Sequence, residues 1–272
     1  MIHNFDPEYA PPEGGVSRIV FASTRGNLAS GAYDYDGPQR TPADPSKPNA
    51  NLYVLEPDPA APGKNRVRQL TYLLDLERQP SFMSDGRLIF TAEKREPQFY
   101  ELALRRINLD GGDYHPLYAQ RGSIGFHEAS QVVELADKNF APVFSEPGWQ
   151  HQGGVLGIFN RSLGIDYYST DKNDYPIDPS VFDPNAPMSP EPQFFLHSLS
   201  FVDGTGKLVT ENGAPIASVA PASYSQGGVY RGPSPLPNGK LLVSFAAATD
   251  PTNFDASTYA LYVLDPITET KL

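Results

Sequence analysis

The sequence predicts an all-β protein, a β-propeller built from four-stranded antiparallel blades, and three observations lead to this prediction. A hairpin-like motif occurs twice, each copy running from a Pro-Ser pair through a turn into an apolar strand. Strand-like segments separated by loops rich in Pro and Gly follow in a recurring order. The 272 residues include 39% hydrophobic and 11% aromatic residues, which is typical of a chain with a packed core.

The clearest copy of the motif is Gln79–Ala92, which contains the turn pair Asp85-Gly86. The second copy, Gly232–Ala246, has Asn238-Gly239 at the same place. Such a pair between apolar segments predicts a two-residue hairpin turn, because that turn needs positive φ, which Gly adopts freely. Two copies of this length indicate an internal repeat.

Within one repeat the order is a strand, a loop, a second strand and a short closing strand. In the first unit the two main strands are Arg18–Ser23 and Asn51–Leu55. In the second unit their counterparts are Arg87–Ala92 and Glu101–Leu109. The last of these segments also has helical propensity, because Glu, Leu, Ala and Arg favour helices. Its position in the repeat favours a strand.

A weaker third unit consists of Ser130–Leu135, Phe140–Ser145 and Gly154–Phe159. Its turn residue Asp137 lies 52 residues after Asp85 (137 − 85) and 101 before Asn238 (238 − 137), which leaves room for a degraded unit. The sequence therefore predicts about four to six blades. The closing strand after Tyr259–Leu264 is expected to be short or missing.

The predicted domain organisation has two parts. Residues 1–16 form an extended lead-in, and residues 17–272 form the propeller, with an irregular long-loop insertion at about 160–230. Within the insertion, Asp171–Pro192 is rich in Asp, Pro and Asn and is predicted as loop, whereas Gln193–Val202 is predicted as a strand.

The repeat favours a propeller for a physical reason. A small sheet with apolar residues on both faces cannot bury both of them alone, whereas radial stacking covers both faces and leaves only short edges. A β-sandwich is the alternative, but sandwiches do not repeat a whole hairpin motif at blade spacing.

Composition limits the partners and the chemistry. The net charge of −11 and the pI near 4.8 argue against nucleic acid and anionic lipid as partners. The absence of cysteine excludes disulfides, thiol catalysis and attachment of a haem through Cys-x-x-Cys-His. The sequence contains no apolar run of about 18 residues, so we expect no membrane insertion. Met1–Gly15 has neither a basic start nor an apolar run and does not read as a signal peptide.

His127 beside Glu128 is the first candidate metal site, and His115 and His151 are the other central histidines. At the start of a blade, a His-Glu pair would face the propeller axis, where metals and ligands bind. The favoured interpretation is a hydrogen-bonded loop histidine next to a solvated carboxylate. A metal site needs three or more converging ligands, and the sequence does not show convergence.

A second candidate site is the oxygen-rich loop that holds Asp171, Asn173, Asp174 and Asp178, which would suit Ca²⁺. It lacks the Gly and the distal Glu of an EF-hand loop, so a plain surface loop is the favoured interpretation. We predict no catalytic residue, because the chain has no Gly-x-Ser-x-Gly elbow. We predict no cofactor site, because the Gly-Gly pairs read as turns rather than phosphate cradles.

Tyrosines are abundant in the predicted loops. Amphipathic aromatic side chains on a rigid scaffold suit recognition of protein or carbohydrate, but ordinary loop packing is the favoured interpretation. The tyrosines concerned are Tyr33, Tyr35, Tyr167, Tyr168, Tyr175, Tyr224 and Tyr230.

The motif Gln79–Ala92 resembles the blade repeat of TolB-type propellers, which are WD-like but lack the Gly-His and Trp-Asp signatures. Arg18–Arg25, Asn51–Leu55 and Asn108–Tyr118 resemble other parts of that repeat. The chain is similar, more weakly, to the propeller domain of hydrazine synthase α-subunit-like proteins. The resemblance implies a bacterial protein of the periplasm or the extracellular space, whose propeller binds other proteins. Hydrazine synthase chemistry uses haem, which this chain has no cysteine to attach.

The sequence thus predicts a non-catalytic scaffold that binds a protein partner through the loops on one face. Two alternatives stay open. One is a propeller-based hydrolase or lyase with an axial, metal-assisted site, and the other is a propeller module of a larger exported multidomain protein.

Overall fold

The computed structural model describes residues 2–12, 15–25, 49–73, 76–96, 99–117, 126–160, 166–169, 193–196, 198–210, 221–224 and 227–272. The chain divides into two compact units. Unit 1 holds Met1–Leu117 and Ser130–Val132, and unit 2 holds Tyr118–Ala129 and Val133–Leu272. Both units are built from antiparallel sheets, several of them four-stranded, so the all-β prediction is confirmed.

Unit 1 contains two sets of four antiparallel strands, each paired in chain order, which we call sheets 1 and 2. Sheet 1 consists of β1 (Asn4–Tyr9), β2 (Ile19–Ser23), β3 (Asn51–Pro57) and β4 (Asn65–Gln69). Sheet 2 consists of β5 (Glu77–Phe82), β6 (Leu88–Glu96), β7 (Phe99–Ile107) and β8 (His115–Pro116).

Unit 2 begins with β9 (Glu128–Glu134), whose Ser130–Val132 is grouped with unit 1. Sheet 3 joins β9, β10 (Phe140–Ser145), β11 (Val155–Phe159), β14 (Leu199–Val202) and β15 (Leu208–Thr210) in this order. Between β11 and β14 lies a separate pair, β12 (Asp166–Ser169) and β13 (Gln193–Leu196). After the short helix α1 (Pro221–Tyr224), sheet 4 is formed by β16 (Val229–Pro235), β17 (Leu241–Ala246), β18 (Ala260–Asp265) and β19 (Thr270–Lys271).

Several predicted elements are confirmed. The segment with helical propensity lies in β7 and pairs with β6 from Glu96↔Phe99 to Leu88↔Ile107. Tertiary pairing thus outweighs local propensity, as is common for amphipathic segments. The closing strand β19 is only two residues long, as expected.

Two predictions differ from the structure. The predicted lead-in contains β1, which pairs along β2 from Asn4↔Ser23 to Tyr9↔Ile19 and completes sheet 1. The segment predicted as one strand, Gln193–Val202, forms two strands, because β13 pairs with β12 whereas β14 pairs with β11. The apolar run was continuous, and periodicity alone does not show that its halves have different partners. The predicted loop Asp171–Pro192 lies outside the described residues.

The repeated turn is a three-residue loop rather than the predicted two-residue turn. In the first copy, Met83 N donates to Arg87 O at 2.8 Å and Gly86 N to Met83 O at 2.9 Å. Gly86 has φ of 86°, and Asp85 is not in the positive-φ region. This is a turn followed by one left-handed residue, which makes a bulge. The Asp85 carboxylate accepts a hydrogen bond from Arg87 N at 3.1 Å. Asp is favoured in turns because its side chain can bond the backbone two residues further on.

The same turn recurs at equivalent places in both units. Each copy spans five residues. The N–H of the first residue donates to the carbonyl of the fifth, and the N–H of the fourth donates to the carbonyl of the first. The fourth residue has positive φ. The left-handed residues are Gly86 and Gly111 in unit 1, and Lys138, Gly206 and Gly239 in unit 2.

A second repeated feature, which the sequence analysis missed, is a residue of positive φ in the first strand of a sheet, and in β1 and β5 this residue lies at a β-bulge. Asp6 in β1, Gln79 in β5 and Gln131 in β9 all have φ between 51° and 54°. In unit 1 these residues are linked in series, because Asp6 Oδ2 accepts from Gln79 N at 3.0 Å and Gln79 Oε1 accepts from Gln131 N at 3.2 Å. Pro7 and Pro80 follow two of the bulges, where a missing N–H is tolerated.

Each unit has its own apolar core. In unit 1 the core lies between sheets 1 and 2, where Val20 and Leu52 of the first sheet meet Leu88 and Phe90 of the second. In unit 2 it lies between sheets 3 and 4 and includes fully buried Val143, Leu156, Leu241 and Val243. Both cores therefore consist of one sheet face packed on the next.

Candidate functional site

The candidate functional site is a surface at one end of the strands of unit 2, which we call the loop surface. It consists of Phe126–Glu128 before and into β9, Glu146–Gly154 between β10 and β11, and Ala247–Tyr259 between β17 and β18. Arg231 of β16 reaches this surface. Loops on a rigid β scaffold are the usual place for recognition residues.

Direct contacts join the two longer loops. Gln150 N donates to Pro251 O at 2.9 Å, and His151 Nε2 donates to Phe254 O at 3.0 Å. The rings of His151 and Phe254 meet edge to face, with centroids 5.1 Å apart. These contacts hold the loops in one arrangement before any ligand binds.

The backbone at this place is strained. His151 and Gln152 have φ of 58° and 56°, a left-handed conformation that residues other than glycine seldom adopt. Two adjacent residues of this kind persist only where surrounding contacts determine their conformation, and such positions cluster at functional sites.

Arg231 and Tyr259 form the cationic and aromatic part of the loop surface. The Arg231 guanidinium carbon lies 4.0 Å from the centroid of the Tyr259 ring, and its Nη1 donates to His151 O at 3.3 Å. The Tyr259 hydroxyl is buried, with no hydrogen-bond partner in the described part of the chain. Burial raises the pKa of Tyr259 to about 12, and the positive charge of Arg231 partly opposes that rise.

Acidic residues shape the β17–β18 loop. Asp255 caps a short 3₁₀ turn, where its carboxylate accepts from Ser257 N at 2.9 Å. Asp250 accepts from the Thr252 hydroxyl at 2.6 Å and from Thr252 N at 2.9 Å. These hydrogen bonds lower the pKa of both carboxyl groups, so both are ionised at neutral pH. Each of these carboxylates stabilises its own turn, and the two do not converge on a common ligand position.

The structure places the predicted His127 and Glu128 in separate interactions. His127 Nδ1 lies 2.7 Å from Glu146 Oε2, and its backbone N–H donates to Glu146 Oε1 at 3.0 Å. The Glu128 carboxylate instead accepts from Ser145 Oγ at 2.7 Å. The His127 side chain remains 57% exposed, which leaves it available to a partner.

The metal hypothesis gains no support from the described residues, where no group of three or more His, Asp or Glu side chains converges. The predicted Ca²⁺ loop with Asp171, Asn173, Asp174 and Asp178 lies outside the described residues, so that hypothesis stays a prediction. His115 is exposed in β8, which belongs to unit 1.

Two of the predicted recognition tyrosines have packing roles. Tyr230 is buried, and its hydroxyl donates to Asp203 O at 2.6 Å. Tyr224 packs on Phe201, with ring centroids 4.4 Å apart. Tyr167 and Tyr168 lie in β12, and Tyr33, Tyr35 and Tyr175 fall outside the described residues.

The sequence analysis missed Arg231, Phe254 and Tyr259 as site residues. The available signal was the long loop that follows the second strand of the last repeat, because such a loop extends from the end of a sheet. The pairing of Arg231 with Tyr259 depends on strand register and could not be inferred from spacing.

Within the described part of the chain, no helix combines the length and apolarity that a membrane crossing requires. The sequence matches no protein-family model, and a search of curated proteins finds no match.

Among solved structures, the chain is similar to hydrazine synthase from Kuenenia stuttgartiensis, with a TM-score of 0.54 and 16% identity. The likeness covers 94% of this chain and 27% of that chain, so this chain spans about a quarter of the hydrazine synthase chain. A family 117 glycoside hydrolase from the marine bacterium Zobellia galactanivorans has a TM-score of 0.31 and 10% identity over 93% of this chain and 68% of its own. That second likeness carries no argument. The first supports a β-propeller-like fold for this chain.

Proposed function

We propose that the chain is a propeller-like recognition module that binds a protein partner through the loop surface of unit 2. In this proposal each sheet is a blade, and the repeat is of the TolB type. The same resemblance supports a location in the periplasm or outside the cell. The observation that carries the proposal is that a hydrogen bond joins two loops at His151, where the backbone is strained.

The composition of the loop surface suits a protein interface. Energetically dominant interface residues are enriched in aromatic side chains and Arg, and they lie among contacts that exclude water. The loop surface presents Phe254, Tyr259 and Arg231, each partly exposed, beside the exposed ring of His151. Because the loops are already joined by hydrogen bonds, a partner would not have to order them, which reduces the entropic cost of binding.

The test uses a double variant, His127→Ala with His151→Ala, because both side chains are exposed and their removal leaves no cavity. A partner is first isolated with the wild-type chain and purified, and its Kd is then measured by calorimetry. We expect the double variant to bind about tenfold more weakly or worse, which corresponds to losing one or two interface contacts.

The matched control is His115→Ala, an exposed histidine in unit 1 that should leave the Kd unchanged. An unchanged Kd for the double variant would contradict the proposed surface. Stoichiometric metal in the purified protein, together with turnover on a substrate panel, would instead favour the hydrolase or lyase alternative.

A further inference from the structure

Lys271 of β19 lies on the face of sheet 4 that packs on sheet 3, because it pairs with the buried Leu264. Its ammonium nitrogen is 3.3 Å from the centroid of the Phe245 ring, 4.9 Å from that of Tyr262 and 5.8 Å from that of Tyr230. All three distances are within the range of about 6 Å over which a ring face attracts a cation. We call these three rings the aromatic box.

The rings of the aromatic box hold one another in place without help from Lys271. Tyr230 and Phe245 pack with their centroids 4.7 Å apart, and Phe245 meets Tyr262 edge to face at 5.8 Å. The Tyr230 hydroxyl donates to Asp203 O at 2.6 Å, which fixes that ring against the β14–β15 turn. We therefore expect the box to persist when the lysine leaves it.

Lys271 is an imperfect occupant of the aromatic box. A lysine ammonium has three N–H donors and is strongly hydrated in water. In the part of the chain that the structure describes, Gly204 O is the only acceptor for these donors. Burial lowers the pKa of Lys271, although the charge of Asp203 opposes that change. A cation without N–H donors would lose less on entering the same box.

The strand that carries Lys271 is held by few contacts. β19 is only two residues long, and the neighbouring Leu272 adds two backbone hydrogen bonds, both with Val263. The residue before the strand, Glu269, has φ of 51°, a strained conformation for a residue other than glycine. Because Tyr262 and Lys271 are partly exposed, solvent reaches the box from the side of β18 and β19. Local opening of β19 would therefore uncover the box.

We propose that the aromatic box is a binding site for a quaternary ammonium group, such as that of choline, and that Lys271 occupies it when this ligand is absent. A quaternary ammonium group needs no hydrogen-bond acceptor and is attracted by the faces of aromatic rings. Tetramethylammonium has as many heavy atoms as the lysine side chain that it replaces. The site shares no residue with the loop surface and does not depend on the proposed protein partner.

The experiment is an NMR titration of the intact chain with tetramethylammonium. Its N-methyl protons should move upfield on binding, because they enter the ring currents of the aromatic box, whereas loose pairing with the acidic surface gives no such shift. Lys271→Ala should bind at least about tenfold more tightly than the wild type, because no internal occupant competes. Lys240→Ala is the matched control, since Lys240 lies before β17 and faces Asp265, and it should keep the wild-type Kd.

Two further comparisons test the role of the rings and of the charge. Phe245→Leu in the Lys271→Ala background should abolish the upfield shift, because it removes the nearest ring and keeps an apolar side chain. Tyr262→Leu, at a partly exposed position, should weaken binding in the same background. Thermal unfolding verifies that each variant is folded. tert-Butanol, a neutral molecule of similar size and shape, should not bind.

Three results would overturn the proposal. They are a Lys271→Ala variant that gives no upfield shift, tert-butanol that binds as well as tetramethylammonium, and a wild-type chain that gives no shift even far above the concentration that saturates Lys271→Ala. Once binding is observed, co-sedimentation with phosphatidylcholine vesicles identifies the source of the group as a lipid headgroup. Binding of free choline without co-sedimentation identifies a soluble ligand.

Discussion

Two glutamates of sheet 1 illustrate how register determines the behaviour of a single carboxyl group. Glu56 of β3 faces β4, where Arg68 Nε lies 2.9 Å and Arg66 Nη2 2.8 Å from its Oε1. The hydrogen bond from Arg68 is the main reason that the pKa of Glu56 is lowered. Glu8 of β1 has its pKa raised instead, because burial disfavours its charged form.

These shifts predict opposite effects of pH on stability. A lowered pKa means that Glu56 stabilises the fold above its ordinary value of 4.5 and loses that effect as the pH falls through the folded value. The raised pKa of Glu8 means that its contribution is full below 4.5 and is lost as the pH rises through the folded value.

We therefore expect Glu56→Gln to lower the free energy of unfolding at pH 7 by about 1–2 kcal/mol and to flatten its decline in acid. Glu8→Gln should raise that free energy at pH 7. Urea titrations from pH 7 to pH 3 measure both. Two variants that shift stability in the same direction at pH 7 would contradict this assignment. Neither pairing was predictable from sequence, because Arg66 and Arg68 meet Glu56 only through the β3–β4 register.

At the scale of the element, the repeated turn explains what sequence reasoning could and could not find. Asp85-Gly86 and Asn238-Gly239 located the turns correctly, because a left-handed residue was needed. The predicted loop length was wrong, because two-residue and three-residue hairpin loops both use Gly in the left-handed conformation. The third copy was harder to recognise because Lys138 occupies the left-handed position, with φ of 73°.

This comparison predicts that Lys138→Gly stabilises the protein by about 0.5–1 kcal/mol. A side chain in the left-handed region costs roughly 1–2 kcal/mol, from which the greater chain entropy of Gly must be subtracted. Conversely, Gly86→Ala should destabilise by about 1 kcal/mol for backbone reasons alone, because no atom lies within 4 Å of the added Cβ.

The control for the Lys138 variant is Ala136→Gly in the same turn, where φ is not positive, which should slightly destabilise. Chemical denaturation measures all three variants. A destabilising Lys138→Gly would show that side-chain contacts of Lys138 outweigh its backbone strain.

At the scale of the molecule, the sequence predicted the repeat of antiparallel sheets but not how its faces are used. Apolar residues on both faces of strands such as β6 and β17 led to the expectation that both faces of each sheet are covered. The exposure of Leu261 in β18 could not be foreseen, because an apolar sheet face has the same sequence pattern whether or not another sheet covers it. Likewise, the candidate histidines were visible in the sequence, whereas the packing of His151 on Phe254 depends on loops that are a hundred residues apart in the chain.

The central claim is that consecutive sheets of the repeat lie side by side with their equivalent turns adjacent. In unit 2 the β9–β10 turn and the β16–β17 turn meet at Ala136 and Gly239, where a Cβ added to Gly239 would lie 3.9 Å from the Ala136 Cβ. That separation is within the range of about 3.5–4.5 Å found in disulfides. The natural chain has no cysteine, so introduced thiols can be counted without background.

The most direct test is therefore thiol titration and mass spectrometry of Ala136→Cys with Gly239→Cys after mild oxidation. The account predicts one intramolecular disulfide and no free thiol, even though Cys at the left-handed position costs about 1 kcal/mol. The control pair, Ala136→Cys with Thr252→Cys in the loop surface, should keep both thiols free. Two persistent thiols in the first pair, or only intermolecular cross-links, would contradict the side-by-side arrangement of the repeat.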